Sequence, residues 1–370
     1  MSSPAAHFDA DALRRWPDLE GPDLPAMDAA DRLILEEWSA LRTGFEDVVV
    51  IGDGYGALTL AAADAGAHGI RVHQDALAGE HALAANAARF GLQGSYRSMP
   101  LDASLVAGAR VVLLRLPRSL DALRDIAGLV AAHAAPDVVV VAGGRLKHMS
   151  VAMNDVLRER FASLDISLAR QKSRVLIARG PHDGVDPVAR RAVVDGLVVC
   201  AYGGTFAGPT IDIGTRFLLA SLPDRLPDEV VDFACGTGVV AASVALRHPS
   251  VRVYASDQSA AAVASARETV AANGVADRVD VVREDLLSSR ADGSASFIVL
   301  NPPFHVGGAV TDDIAPRLFA DAARVLRSGG ELWCVWNSAL RYRAALERIV
   351  GPTRQIDRNT KFTVTASTRR

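Results

Sequence analysis

Lysine is nearly missing from this chain. Of its 40 basic residues all but Lys147, Lys172 and Lys361 are arginine, and alanine is everywhere. Together these read as a compositional bias rather than a nucleic-acid code. Cysteine is also scarce: Cys200, Cys235 and Cys334 are odd in number and far apart. That excludes a disulfide framework and a thiolate metal site, and it fits a reducing cytosol. The nine histidines show no metal-ligand spacing either, so no metal is expected. Long apolar runs are absent as well. The longest candidates, such as Val138–Gly144, match a buried strand rather than the ~20 residues that span a bilayer. The opening MSSPAAHFDADALRRW lacks a basic-then-apolar pattern, and a cytoplasmic location is the expectation.

At 370 residues the chain is long for one core and comfortable for two domains. The net charge of −3 does not announce a polyanion binder. Its distribution says more. Residues 1–40 hold 9 acids and 3 bases, residues 97–180 hold 13 bases and 7 acids, and residues 341–370 hold 8 bases and 2 acids. Two basic regions on an acidic chain could frame a polyanion site, although solvated arginines on helix faces would look the same.

One unit is written twice. Asp47–Asp75 reads DVVVIGDGYGALTLAAADAGAHGIRVHQD, and Glu229–Asp257 reads EVVDFACGTGVVAASVALRHPSVRVYASD. Each is an apolar strand, a glycine turn, an alanine-rich helix, a second strand and an aspartate. Gly54 and Gly56 align with Gly236 and Gly238, and the aspartate follows 19 residues on in both copies. Spacing this regular indicates internal duplication. Both copies continue in helix–strand alternation and end in a hairpin-like pair, 163–169 with 173–179 and 353–358 with 361–367. The pattern predicts an α/β fold of two tandem Rossmann-like domains, each an open, mostly parallel twisted sheet with helices on both faces. The turn-rich PHDGVDP, Pro181–Pro187, serves as linker and divides the chain into residues 1–187 and 188–370.

In such sheets ligands bind beyond the carboxyl ends of the strands, where strand order reverses. The turn Cys235–Gly238 falls at one such end. Glycines there admit a ligand close to the backbone, and the following helix offers free N–H groups. Asp257 ends the second strand, where a carboxylate can accept both hydroxyls of a ribose. A nicotinamide dinucleotide fits this much too. Asp232 separates the two readings: inside the end of the first strand it would meet the ammonium of S-adenosylmethionine and repel a pyrophosphate. Asp285, after the third strand, is placed to accept from an adenine amino group. A helix cap and a surface acid are the plainer readings of these two aspartates.

The sharpest signal is Asn301-Pro302-Pro303-Phe304, immediately after the apolar strand 297–300. Two prolines end the strand and leave their carbonyls free, and Pro302 pushes Asn301 into an extended conformation. The Asn301 oxygen and a proline carbonyl can then accept the two hydrogens of an exocyclic –NH2, while Phe304 stacks on the ring that carries it. Such an amine is a poor nucleophile because its lone pair is delocalised. Accepting both hydrogens favours pyramidalisation and aims the lone pair at a methyl carbon. No strong base is needed, and in-line positioning supplies up to ~7–11 kcal/mol.

These residues resemble the bacterial ribosomal RNA guanine-2-amino methyltransferases with tandem methyltransferase-like domains. The resemblance covers most of the chain and is strongest from Gly204 to Lys361. It runs through GTFAGPTIDIGTRFLL, DFACGTG, SD, EDLL, NPPFH, SGGELW and the closing NTKF. HVGGAVTDDIAPRLFADAARVL is closer to the large-subunit members. The resemblance implies methyl transfer from S-adenosylmethionine to a guanine 2-amino group, in 23S rRNA before 16S. It implies a donor pocket of Asp232, Cys235, Gly236, Gly238, Asp257 and Asp285, closed by Thr215 and the loop with Phe206, and a base held by Asn301, Pro302 and Phe304. His305 and Lys361 stand in its signatures without an assigned step and are counted among the RNA contacts. The first copy departs from the pattern: Val50 takes the position of Asp232, and Leu113–Pro117 (LLRLP) stands where NPPF would be. The expectation is an inactive copy kept for stability and RNA docking through Arg115, Arg118, Arg145, Lys147, Lys172 and Arg174. Ribosomal RNA or an assembled subunit is then the partner. The same NPPF chemistry also serves protein glutamine-amide and DNA adenine-amine methyltransferases. An RNA-binding pseudoenzyme or ribosome assembly factor would require a broken donor site, and a nicotinamide oxidoreductase lacks an acid–base pair here.

Overall fold

The computed structural model describes residues 8–21, 24–303 and 311–370, without the side chains of 311–313. The chain divides into two compact units, Met1–Val188 and Ala189–Arg370.

In the first unit the strands are β1 Val48–Ile51, β2 Ile70–His73, β3 Tyr96–Ser98, β4 Val111–Arg115, β5 Val139–Arg145, β6 Phe161–Ile166 and β7 Ser173–Pro181. They form one sheet in the order β3-β2-β1-β4-β5-β7-β6. The first five run parallel, and β7 is antiparallel to both β5 and β6. The helices are α1 Ala29–Leu41, α2 Ala57–Asp64, α3 Leu77–Phe90, α4 Ala103–Val106, α5 Leu120–His133 and α6 Ala152–Arg158.

The second unit opens with a separate hairpin, β8 Arg190–Val194 and β9 Leu197–Ala201. Its turn residues Asp195 and Gly196 both have positive φ, the geometry an Asp-Gly hairpin turn demands. Helices α7 Ile213–Ser221, α8 Val239–Arg247, α9 Ala260–Ala272, α10 Thr311–Val325 and α11 Arg343–Ile349 surround β10 Glu229–Phe233, β11 Arg252–Asp257, β12 Val279–Arg283, β13 Ala295–Leu300, β14 Leu326–Asn337, β15 Thr353–Arg358 and β16 Phe362–Thr368. The strand order, β12-β11-β10-β13-β14-β16-β15, repeats that of the first unit position by position. Both units have the Rossmann-like, doubly wound architecture read from the repeat.

Strand alternation divides each sheet between two cores. In the second unit Val230, Val253, Val299 and Val335 pack with α7, α8 and α9. Val231, Phe233, Ile298 and Leu300 pack on the opposite face with α10 and α11. Strand order reverses between β10 and β13, which are hydrogen-bonded neighbours with Asp232 opposite Val299 and Phe233 opposite Leu300. The two motifs, remote in sequence, therefore end side by side at the switch point. Among the described residues no helix is long and apolar enough to cross a membrane, and no group of histidines, cysteines and carboxylates could hold a metal ion.

Candidate active site at the switch point of the second unit

Asp232 lies one residue before the end of β10, on the same face as Val230, and is 3% exposed. Its Oδ2 accepts the backbone N–H of Ala241, in the first turn of α8, at 3.0 Å. Burial pushes its carboxyl up to about 7 against that hydrogen bond, and the nearby Asp257 charge adds to the rise. Gly238 caps α8 in the left-handed region, φ 73, and a Cβ there would lie 2.9 Å from the Cβ of Ala266. At Gly236, φ 54, a Cβ would meet nothing within 4 Å among the described residues, so open space faces the turn. Asp257 accepts from the N–H of Gly236 at 3.0 Å and from that of Ser259 at 2.9 Å, which ties the end of β11 to the glycine turn. Cys235 is buried, its thiol held well above its ordinary value by burial and by Asp257 and Asp232. Asp285 follows β12 by two residues. Phe206, 55% exposed, sits in a loop tied to α9 by Tyr202 N–H and the Thr205 hydroxyl on Ser265 Oγ.

Asn301 follows β13 directly. The period of two places it on the Val299 side of the sheet, the side of Asp232 and α7. There its Nδ2 donates to Thr215 Oγ1 at 2.9 Å, while its Oδ1 is buried and has no hydrogen-bond partner among the described residues. Thr215 is the third residue of α7, whose N-cap Asp212 accepts from Gly214 and Thr215. Phe362, at the start of β16, packs against Gly214 and holds this end of the helix beside β13. Thr215 thus touches Asn301, a contact the sequence did not reveal. Its signal was the Asp212-x-x-Thr215 capping pattern, which marks a helix start but not what the helix meets. Pro302 is buried and Pro303 exposed. Phe304 and His305 lie outside the described residues. Lys361 is exposed, with its ammonium 5.5 Å from the Phe362 ring.

The first unit corrects two sequence readings at the equivalent positions. With Val50 opposite Leu113 in β4, Arg115 occupies the place of Asn301. It was expected to face RNA, but its guanidinium turns inward. Nη1 donates to Asp28 at 2.7 Å and to Asp31 at 2.5 Å, and Nη2 donates to Asp28 at 2.7 Å. Asp28 is the N-cap and Asp31 the third residue of α1, so Asp31 stands where Thr215 stands in α7. The two carboxylates hold the guanidinium charge more firmly than water would. Nor is the buried acid of the turn missing. Asp53, three residues after Val50, accepts from Thr59 N–H at 2.8 Å, and Thr59 is the counterpart of Ala241. The remaining cations gather at the carboxyl end of β5. Arg118 Nη2 is 3.3 Å from His148 Nε2, and Gly144 and Arg145 pair with Arg174 and Ser173. Partial burial and the charges of Arg118, Lys147, Arg115 and Arg145 hold His148 below its ordinary value. Arg145 lies 3.9 Å from Asp28, and Lys172 is exposed with φ 59.

The same division appears in comparisons with known proteins. The RLMG N-terminal domain model matches residues 1–182, and the Methyltransferase small domain model matches residues 196–366. The ribosomal RNA large subunit methyltransferase G of Shewanella amazonensis is 34% identical over 364 residues, covering 95% of this chain and 94% of that one. Its namesake in Streptomyces avermitilis is 35% identical over 372 residues, covering 95% of each. Among solved structures, a T. thermophilus 16S rRNA N2 methyltransferase in complex with AdoMet and guanosine superimposes with a TM-score of 0.76 at 21% identity, over 93% of this chain and 92% of that one, a likeness of fold. With both halves matched in order and the relatives aligned nearly end to end, the chain belongs to the ribosomal RNA large subunit methyltransferase G family.

Proposed function

We propose that the second unit transfers a methyl group from S-adenosylmethionine to the exocyclic 2-amino group of a guanine in large-subunit ribosomal RNA. The observation that carries this reading is Asn301. It presents a buried acceptor with no partner among the described residues, its amide nitrogen is occupied by Thr215, and its strand neighbours the one that carries Asp232. S-adenosylmethionine supplies an electrophilic methyl on a sulfonium. Asp232 and the Gly236–Gly238 turn fit that donor: a buried carboxylate made reluctant to ionise is stabilised by an arriving ammonium, and the open face of Gly236 admits a ligand to the backbone. Asp257, Asp285, Cys235 and the Phe206 loop line the same end of the sheet in this reading.

Asn301 Oδ1 and the Pro302 carbonyl accept the two amine hydrogens, and Phe304 stacks on the base. With both hydrogens accepted, the nitrogen lone pair is turned out of conjugation toward the donor; the N–C bond would form as the donor's S–C bond breaks, leaving a neutral thioether, and the proton would then pass to water. The first unit, residues 1–187, is an inactive copy in this reading. The position that holds the amine in the second unit is filled by Arg115 and closed by Asp28 and Asp31. Arg118, Arg145, Lys147, Lys172 and Arg174, clustered at one end of its sheet, contact RNA phosphates, with His305 and Lys361 contributing from the second unit. A guanine hidden in a helix must be unstacked first, so a loop or single-stranded site in free RNA or an assembled subunit is the expected target.

The test is transfer of labelled methyl to large-subunit RNA, small-subunit RNA and assembled subunits lacking the modification, with wild type and Asn301→Ala. Label in 2-methylguanosine of large-subunit RNA, lost in the variant, is the expected result. Label on protein glutamine, or on no RNA despite donor binding, overturns the RNA assignment.

A further inference from the structure

We infer that Thr215 is a positioning residue that sets which end of the Asn301 amide faces the base. An amide can sit either way round in nearly the same space, and only its oxygen end accepts hydrogens from an amine. Thr215 Oγ1 accepts from Asn301 Nδ2 at 2.9 Å, which leaves Oδ1 buried and without a partner among the described residues. A hydroxyl can also donate, but in the structure it accepts, and the duplicated copy runs in the same sense. There the strand-end residue is Arg115, which only donates, and the third helix residue is Asp31, which only accepts. The same two positions meet in the same sense in both units, from strand end to helix start. Asp212 pins the first turn of α7 through Gly214 and Thr215, and Phe362 packs on Gly214, so the hydroxyl is carried on a fixed backbone. The inference rests on the reading of Asn301 as the residue that holds the amine. It assigns Thr215 to the base side of the site rather than to closure of the donor pocket.

The test compares Thr215→Val, Thr215→Ser and Asn301→Ala, alone and combined, for kcat, KM and donor affinity. Thr215→Val keeps shape and loses the acceptor. The expected result is a fall in kcat of about tenfold or more with donor Kd unchanged, the usual effect of losing one buried hydrogen bond. Thr215→Ser restores most of the rate. On the residual turnover of Asn301→Ala, read in single-turnover assays at high enzyme, Thr215→Val has no further effect, because there is no amide left to orient. A Thr215→Val variant with weakened donor affinity and full kcat at saturating donor would overturn the inference. So would an equal loss in both backgrounds. Wild-type activity on guanine separates the two claims: its absence sinks the functional reading, whereas its presence with normal Thr215→Val turnover sinks this one alone.

Discussion

Asp232→Asn should stabilise the second unit and cripple it. The carboxyl is 3% exposed, and burial raises it from 3.8 to about 7. In the unfolded chain it ionises near its ordinary value. Between pH 4 and 7 the folded state therefore binds more protons than the unfolded state, and stability falls as pH rises, by about 1.4 kcal/mol per pH unit. Above pH 7 the accumulated cost reaches an upper limit of about 4 kcal/mol. The amide carries no charge, and its oxygen can still accept the Ala241 N–H. The variant should then melt near the wild-type temperature at pH 4.5 and about 10 °C above it at pH 8.5, since 1 kcal/mol moves a unit of this size by about 2–4 °C. Donor binding should move the other way. Loss of a charge-assisted contact costs about tenfold or more in affinity, and in wild type the affinity should rise with pH through 7 as the carboxylate ionises. Thermal melts and calorimetric titrations across that range read both quantities. A melting difference independent of pH, or a destabilised variant at pH 8.5, would refute the argument that this carboxylate is held against its solvation.

Three other perturbations follow from the geometry. Gly238→Ala should cost clearly more stability than Gly236→Ala in urea denaturation: both have positive φ, but only at 238 does the added carbon meet Ala266, at 2.9 Å. Arg115→Met leaves Asp28 and Asp31 facing each other with, among the described residues, only Arg145, 3.9 Å from Asp28, as counter-charge, so the first unit should lose about 3 kcal/mol while donor affinity in the second is unchanged; calorimetry that shows an undisturbed first unit would contradict the inward pairing. Arg118→Ala and Lys147→Ala should each lower the salt dependence of RNA binding by about one unit of slope without altering donor Kd, and an unchanged slope would remove this end of the sheet from the RNA footprint.

The duplication, the strand–helix alternation and the two site motifs were legible because each is local. A glycine turn after a valine-rich strand, or two prolines after another, carries its physics within a few residues. β8 and β9 carried a local signal too, in Val-Val-Asp195-Gly196-Leu-Val-Val, which went unread beside the linker. What stayed hidden was long-range pairing. Asn301 and Thr215 lie 86 residues apart, and Arg115 and Asp31 lie 84 apart. Arg115 looked like a surface cation because nothing near it in sequence shows two carboxylates arriving from α1. Asp53 escaped for a different reason. Alignment compared it with Cys235, yet its side chain reaches the N–H that Asp232 serves in the other unit.

These pairings also explain how two copies of one fold came to differ so sharply at equivalent places. In each unit the end of the fourth strand meets the third residue of the leading helix, and that helix start is held by an aspartate N-cap. Asparagine against threonine leaves one acceptor over. Arginine against two aspartates leaves little unsatisfied, and the first unit closes where the second stays open. Neither side of the charged cluster can revert alone, because a buried charge stripped of its partner costs several kcal/mol. Asp31 shows the constraint directly: even beside Arg115, burial holds its carboxyl up at about 6. Once formed, the ion pair is therefore retained by stability alone, with no need for activity to preserve it, whereas the Asn301–Thr215 pair buries no charge and is not locked in by that penalty.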